Sequence, residues 1–142
     1  MANELAASNV IRFATSPREG RRNGCTMTVV NDATEGRVTV RFRRPKGFRS
    51  VLVDVMTGSD NETHFSFLGT LRGEQVVISA KSKAGDKGIR AQSILNWTFA
   101  AAGRDDLRSV RVLHEGCCGR CGRKLTVPAS IDTGLGPECR GK

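Results

Sequence analysis

Four of the five cysteines in this 142-residue chain lie within its last 29 residues, at spacings typical of a metal site. Cys118 and Cys121 form a C-x-x-C pair, and Cys139 follows after seventeen intervening residues. Because structural Zn2+ takes four ligands in a tetrahedron, these three thiolates need one further donor. His114 and Cys117 are the candidates, and we favour His114 because Cys117 directly adjoins Cys118. The sequence therefore predicts a Zn2+ site formed by His114, Cys118, Cys121 and Cys139.

A structural role for this Zn2+ fits the surrounding residues better than two alternatives. Gly119 and Gly122 let the backbone turn its N–H groups toward the thiolates, which balances their charge. A redox-active pair would begin a helix, whereas this pair lies among glycines. A catalytic zinc would need a general base, for which Glu115 and Glu138 are the candidates. With no export signal, we expect a reducing cytoplasm, where clustered thiols favour metal over disulfides.

The second group of residues that could do chemistry is basic. The formal net charge is +9, and the first 50 residues carry ten Lys or Arg against four Asp or Glu, a balance of +6. Such an excess suits a polyanionic partner, nucleic acid above all. The alternative is a solvated strand face whose charges discourage edge-to-edge pairing. The candidate contact residues are Arg37, Arg41, Arg43, Arg44, Lys46 and Arg49, together with Arg120, Arg123 and Lys124 beside the cysteines.

Alternation places most of this basic row on a β-strand. In residues 37–44 the apolar side chains of Val38, Val40 and Phe42 fall on one face and the arginines on the other. Similar β-rich runs, separated by turn residues, occur at 25–31, 49–56, 62–71, 74–80 and 109–113. The sequence therefore predicts an α+β fold, with an antiparallel meander of about five to six strands. Cys25, alone on its strand, is expected to be a small core residue.

One helix is expected to cover the apolar face of this sheet. After a polar, glycine-containing link over 81–90, apolar residues recur at helical spacing up to Gly103, which is placed to end the helix. Trp97 is expected to anchor it in the core. The helical positions are Ala91, Ile94, Leu95, Thr98 and Ala102.

The predicted organisation has three parts. Residues 1–22 show little periodicity and contain several arginines among turn residues, so they are expected to form a flexible basic arm. Residues 23–113 form the sheet domain, and 114–142 form a zinc-knuckle or ribbon-like module packed on it. No apolar run approaches the length that spans a bilayer, so no membrane association is expected.

The C-terminal segment also resembles a known family. The runs CGRCGRKLT at 118–126, SI at 130–131 and GLGPEC at 134–139 are similar to a CGRCGRxLT…SIxxGxGPxC pattern found largely in phage and prophage proteins of unassigned function. Cys117 departs from the polar or basic residue usual at that position. The resemblance implies zinc binding and a phage-type accessory protein, and it implies no activity.

No nucleophile–base pair, phosphate-binding loop or carboxylate dyad is recognisable, so the sequence predicts a non-enzymatic protein without a small-molecule substrate. We expect it to bind nucleic acid or a host nucleoprotein through the basic strand face. The alternative is a protein that binds and modulates a host machine, such as a polymerase or a defence nuclease complex. Either function would be exercised in the cytoplasm, that of the host cell if a phage encodes the protein.

Overall fold

The computed structural model describes residues 4–15, 17, 24–34, 36–57, 65–114 and 135. A single 3-10 turn, Ala7–Asn9, leads into a short helix α1, Val10–Ala14. Five strands follow, and then the long helix α2, Gly85–Gly103, precedes a sixth strand. The strands are β1 Cys25–Asn31, β2 Gly36–Arg43, β3 Val51–Met56, β4 Phe65–Arg72, β5 Gln75–Ile78 and β6 Val110–His114.

The strands form one six-stranded sheet in the order β5-β4-β3-β2-β1-β6, and each neighbouring pair is antiparallel. Strands β1 to β5 are a meander joined by short connections, and β6 returns after α2 to pair with the free edge of β1. The predicted α+β meander with one covering helix is therefore confirmed for the described residues.

Cross-strand pairs share a face of the sheet, which defines the side that carries the core. Phe42 pairs with both Cys25 and Val53, and Val40 pairs with both Met27 and Val55. All six of these side chains are buried, including Cys25, as expected from the sequence. They belong to one buried apolar core together with residues of α1 and α2, and the burial of this core stabilises the fold.

A β-bulge in β4 changes which side chains face the core. Val53 pairs with Gly69, but the next residue of β3, Asp54, pairs with Phe67, so Leu68 is the extra residue. Bulges of this kind interrupt the alternation of side chains along a strand. As a result Leu68 is fully buried in the core, while Phe67 lies on the same face as Asp54.

Helix α2 begins at Gly85, so the prediction of a non-helical link up to residue 90 is wrong for 85–90. The first turns pack closely on the sheet, since a Cβ atom at Gly88 would lie 2.7 Å from Leu68 Cδ1. Farther along, the rings of Phe99 and Phe42 have centroids 6.2 Å apart. Gly103 is the last helical residue rather than the residue after the helix.

The prediction that Trp97 anchors the core is wrong. Its side chain is 42% exposed, whereas Phe99 is 1% exposed and takes that place. Two residues apart on a helix, the side chains point about 200° away from each other, so only one of them can face the sheet.

The N-terminal residues also differ from the predicted flexible arm over 1–22. Leu5, Val10, Phe13 and Ala14 are buried in the core, and the Leu5 N–H donates to the Val112 carbonyl at 2.7 Å. Positions 10, 13 and 14 share one helix face, which gives even a five-residue helix an apolar side to bury.

Within the described residues, no helix has both the length and the apolar character needed to cross a bilayer. Of the predicted module at 114–142, only His114 and Leu135 belong to the residues described, and both are buried.

Candidate nucleic-acid interface

The face of the sheet away from α2 carries three of the basic residues predicted from the sequence, namely Arg37, Arg41 and Arg43. Arg41 pairs across the strands with Thr26 and Asp54, and Arg43 pairs with Leu52, so both arginines project from the face opposite the core. This surface, called here the outer face, is made by alternate residues of every strand. Its members include Thr26, Thr28, Val30, Arg37, Thr39, Arg41, Arg43, Leu52, Asp54, Met56, Phe65, Phe67, Thr70, Val77 and Arg111.

Asp54 holds two of the arginines in fixed positions. Arg41 donates from Nε at 3.1 Å and from a terminal nitrogen at 3.0 Å, both to Asp54 Oδ2. Arg43 donates from Nε to Oδ2 at 2.6 Å and from a terminal nitrogen to Oδ1 at 3.1 Å. The Asp54 side chain is 3% exposed, while those of Arg41 and Arg43 are 19% and 25% exposed. One carboxylate therefore neutralises one of the two charges and leaves the group with a net charge of +1.

Aromatic rings lie next to this ion-paired group. The Arg41 guanidinium carbon lies 4.5 Å from the centroid of the Phe65 ring, a cation–π contact. Phe67 is opposite Asp54 in the register, and both phenylalanines are partly exposed. Guanidinium planes and aromatic rings on one surface are the groups on which unpaired bases stack.

The remaining predicted cations flank this centre. Arg37 is exposed near the start of β2, while Lys46 and Arg49 are exposed in the connection from β2 to β3. Arg44 is half-buried, and its Nε is a buried donor without a hydrogen-bond partner among the described residues. None of these four has a carboxylate oxygen within 4.0 Å in the described part of the chain.

One further arginine of the outer face is ion-paired. Arg111 on β6 donates to Asp32 from Nε at 2.9 Å and from a terminal nitrogen at 3.0 Å. The hydrogen bond from Arg111 lowers the pKa of the Asp32 carboxyl, and the same contact raises the pKa of Arg111. Both groups are at the surface, so this pair orients Arg111 and contributes little to stability.

Of the four predicted zinc ligands, the structure describes one. His114 ends β6, is 5% exposed, and its ring centroid lies 5.7 Å from that of Phe13. Cys118, Cys121 and Cys139 lie outside the described residues, as do the alternative ligand Cys117 and the predicted contact residues Arg120, Arg123 and Lys124. Among the residues described, no group of three or more His, Cys, Asp or Glu is arranged to hold a metal. The zinc site therefore stays a prediction.

Sequence reasoning missed three members of the outer face. Asp54 lies in a valine-rich strand, at a position that alternation assigns to the face opposite the valines. An acidic residue at that position was the signal that could have identified it as a partner of the arginines. Phe65 and Phe67 lie in the predicted strand run 62–71, but the bulge that turns them toward the arginines has no signal in the sequence beyond Gly69. A Cβ atom at Gly69 would lie 1.9 Å from the Val77 carbonyl oxygen, so the close approach there requires glycine.

The comparisons with known proteins concern the end of the chain. A family model described as a family of unknown function (DUF6011) matches residues 111–142, that is 32 of the 142 residues. The match begins within β6 and contains Arg111, His114 and all the predicted zinc-binding cysteines. No curated protein and no solved structure matches the chain. The expected resemblance to a family of unassigned function is confirmed at that level.

Proposed function

We propose that this protein binds single-stranded nucleic acid on the outer face of its sheet and has no enzymatic activity. The observation that supports the proposal most strongly is the contact of Arg41 with Phe65, beside Arg43 and Phe67 on the same surface. A base can stack on these groups while its phosphates lie near the flanking cations. Sheet surfaces of this composition suit unpaired bases, because a duplex hides the base faces that stacking requires.

Asp54 holds Arg41 and Arg43 in fixed positions on the binding surface, and its negative charge cancels one of their two positive charges. A guanidinium has five N–H donors, and Arg41 and Arg43 each direct two donor nitrogens at Asp54. Each therefore keeps N–H groups for an acceptor on the ligand. Because their side chains are held in place before binding, less conformational entropy is lost when a phosphate or base docks.

Around this ion-paired centre lie three exposed cations, Arg37, Lys46 and Arg49. Each phosphate that they neutralise releases counterions, so affinity should fall steeply as salt is added. The test is fluorescence anisotropy with single-stranded and duplex DNA and RNA of mixed sequence, titrated across several salt concentrations. Replacing all three cations by Gln should reduce the slope of log K against log salt by about two to three.

A suitable control for this triple variant is Arg104→Gln combined with Lys81→Gln, which removes exposed cations away from the outer face. The control should leave the slope near that of the unchanged protein. If no oligonucleotide binds even at low salt, or if the control lowers the slope as much as the triple variant, the proposal is wrong.

The proposal includes a structural Zn2+ at the C-terminus. His114, Cys118, Cys121 and Cys139 would hold the ion, and one imidazole with three thiolates is a usual donor set for structural zinc. The ion would cross-link a segment to the end of β6, which already has His114 buried against Phe13. Metal analysis should give about one zinc per chain, and Cys118→Ser or Cys139→Ser should reduce it, whereas Cys25→Ser should not.

A second candidate function is the binding and modulation of a host protein machine. It is favoured by Phe48, which is 49% exposed in the β2–β3 connection between Lys46 and Arg49. Exposed aromatic residues beside cations often anchor protein interfaces. The phage-type accessory role that the sequence resemblance implies would be of this kind. A partner that is recovered from host lysate after nuclease treatment, and lost in Phe48→Ala, would support this function.

A further inference from the structure

A groove lies on the other side of the sheet, between α2 and the ends of β1 and β2. It encloses about 420 Å³, which is within the range of small-molecule binding sites. Its floor is apolar, with Val29, Val38, Ile94 and Val110 among its lining residues. The groove meets the outer face at Arg37, which belongs to the outer face by strand register and also lines the groove, whereas Arg90 and Trp97 belong to α2 on the other side of the sheet.

The helix contributes one aromatic and one cationic group to the groove. Trp97 and Arg90 both line it, and both are exposed. They are seven residues apart, which places them on the same side of α2 and about 10.5 Å apart along the helix axis. Ser93 lies between them and adds a hydroxyl group. A ligand that uses both ends must therefore carry an apolar ring at one end and a negative charge at the other.

The charge of the lining is entirely positive among the described residues. Arg37 joins Arg90 in the groove, and no carboxylate is present. An adjoining cavity of about 280 Å³ shares Arg37, Val38 and Arg90 with it and adds Lys87. The Lys87 ammonium already donates to the Thr57 carbonyl at 3.0 Å, whereas neither arginine has a carboxylate oxygen within 4.0 Å among the residues that the structure describes. Two arginines that face no acid in the described part of the chain are complementary to an external anion.

We propose that this groove binds a nucleoside monophosphate or a ligand of the same chemistry, a planar aromatic ring joined to a phosphate. The ring stacks on Trp97 above the apolar floor, and Arg90 and Arg37 donate to the phosphate. Arginine suits this role because its planar fork donates two parallel hydrogen bonds to phosphate oxygens. The sequence predicted no small-molecule substrate, and a bound ligand of this kind requires no reaction.

The groove contains a natural fluorophore, so ligand binding can be followed without a label. Trp97 is its only tryptophan and it has no tyrosine, so intrinsic indole fluorescence comes from the groove alone. The experiment titrates the full-length protein with AMP, GMP, CMP and UMP up to about 1 mM, where a site with a dissociation constant of that order is half filled. The fluorescence is excited at the red edge of the indole band, where the bases do not absorb.

We expect saturable quenching by at least one nucleotide, and weaker binding of the corresponding nucleoside and of inorganic phosphate. Arg90→Gln should weaken nucleotide binding about tenfold or more, as for the loss of a charged hydrogen bond. The matched control Arg104→Gln, an exposed arginine that follows the same helix, should bind as the unchanged protein does. Trp97→Phe should bind more weakly by calorimetry, with circular dichroism unchanged because the side chain is exposed.

Several outcomes would overturn the proposal. One is the absence of quenching by any nucleotide up to that concentration. Another is equal binding by Arg90→Gln and the unchanged protein, which would place the nucleotide elsewhere. A third is tighter binding of an aliphatic carboxylate than of every nucleotide, which would show that the groove takes an amphipathic chain. Because these assays use mononucleotides and α2 variants, their failure would leave oligonucleotide binding on the outer face untouched.

Discussion

The two faces of the sheet are built from the same strands but have opposite chemistry. Toward α2 the strands present valines, Phe42 and Leu68, and these side chains form a buried core with Phe99 and residues of α1. On the outer face they present arginines, one buried acid and two partly exposed phenylalanines. The first face stabilises the fold through buried area, and the second holds charged groups in fixed positions at the surface.

Because the two faces have different roles, we expect that substitutions can change the stability of the fold and the affinity for nucleic acid independently. Substitutions on the helix side should change the free energy of unfolding without changing the affinity of the folded protein for nucleic acid. Substitutions of the phenylalanines and unpaired cations of the outer face should do the reverse. Asp54 is the exception, since it is buried yet belongs to the outer face.

The largest effect is expected for Phe99→Ala on the helix side. Removing a fully buried phenylalanine should lower the free energy of unfolding by about 3–5 kcal/mol, measured by urea denaturation. Phe99→Leu, which keeps most of the volume, should cost much less. Oligonucleotide affinity, measured where the variant is still folded, should be unchanged; a loss of affinity there would contradict the separation of the two faces.

The next effect concerns Asp54→Asn. The change leaves Arg41 and Arg43 half-buried without their counterion, and we expect a loss of about 2–3 kcal/mol in the free energy of unfolding. The cost is below that of a fully buried pair because the arginines retain contact with water. Glu74→Gln, which removes an exposed carboxylate from the β4–β5 turn, is the matched control and should change stability by less than about 0.5 kcal/mol. Equal stability of both variants would show that Asp54 does not organise the outer face.

A smaller effect, on binding rather than stability, is expected for Phe67→Ala. Loss of one stacking surface should weaken single-stranded nucleic-acid binding by about 1–2 kcal/mol. Val77→Ala removes an exposed apolar side chain from the same face at the edge strand and should leave binding unchanged. Anisotropy titrations at constant salt provide the measurement. If the two variants bind equally well, stacking on β4 is not part of the interface.

The smallest effect is the pH dependence that arises from Asp32 and Arg111. Because the pKa of Asp32 is lowered in the folded protein, its ion pair stabilises the fold above the usual pKa of 3.8. This contribution is lost as the pH falls through the lowered folded-state pKa. Asp32→Asn should therefore make the fall in thermal midpoint in that acid range less steep. Identical acid profiles for Asp32→Asn and the unchanged protein would rule out this linkage.

Much of the fold was predictable because period-two alternation is strong in these strands. Val38, Val40 and Phe42 alternate with arginines, and that pattern alone separates a core face from a polar one. The start of α2 was missed because its first turns contain two glycines, which disfavour helix unless packing compensates. Here Gly88 permits the close approach of Leu68. The burial of α1 was missed because five residues are too few for a clear period.

For the candidate site, the sequence predicted the arginines but not the residues that lie beside them. Arg37, Arg41 and Arg43 were correctly placed on one side of β2, but alternation says nothing about which residue of another strand lies beside them. Asp54 becomes their partner through the register of β2 with β3, a contact between residues 11 to 13 apart in the chain. The prediction that Trp97 is a core residue was wrong. The spacing of apolar residues identifies one face of a helix, but it does not show where the sheet that covers that face ends.

By itself, then, the sequence determined the strands, the basic row and the similarity of the C-terminal segment to a family of unknown function. These depend on neighbouring residues or on a local spacing of cysteines. The tertiary structure alone decided that a bulge at Leu68 turns Phe65 and Phe67 away from the core and beside the arginines. The extra residue puts the side chains of β4 that precede Leu68 on the face opposite to the one that unbroken alternation would give. The bulge depends on the pairing of β4 with β3 and on the packing of Leu68 near Gly88 of α2, which no local pattern in the sequence specifies.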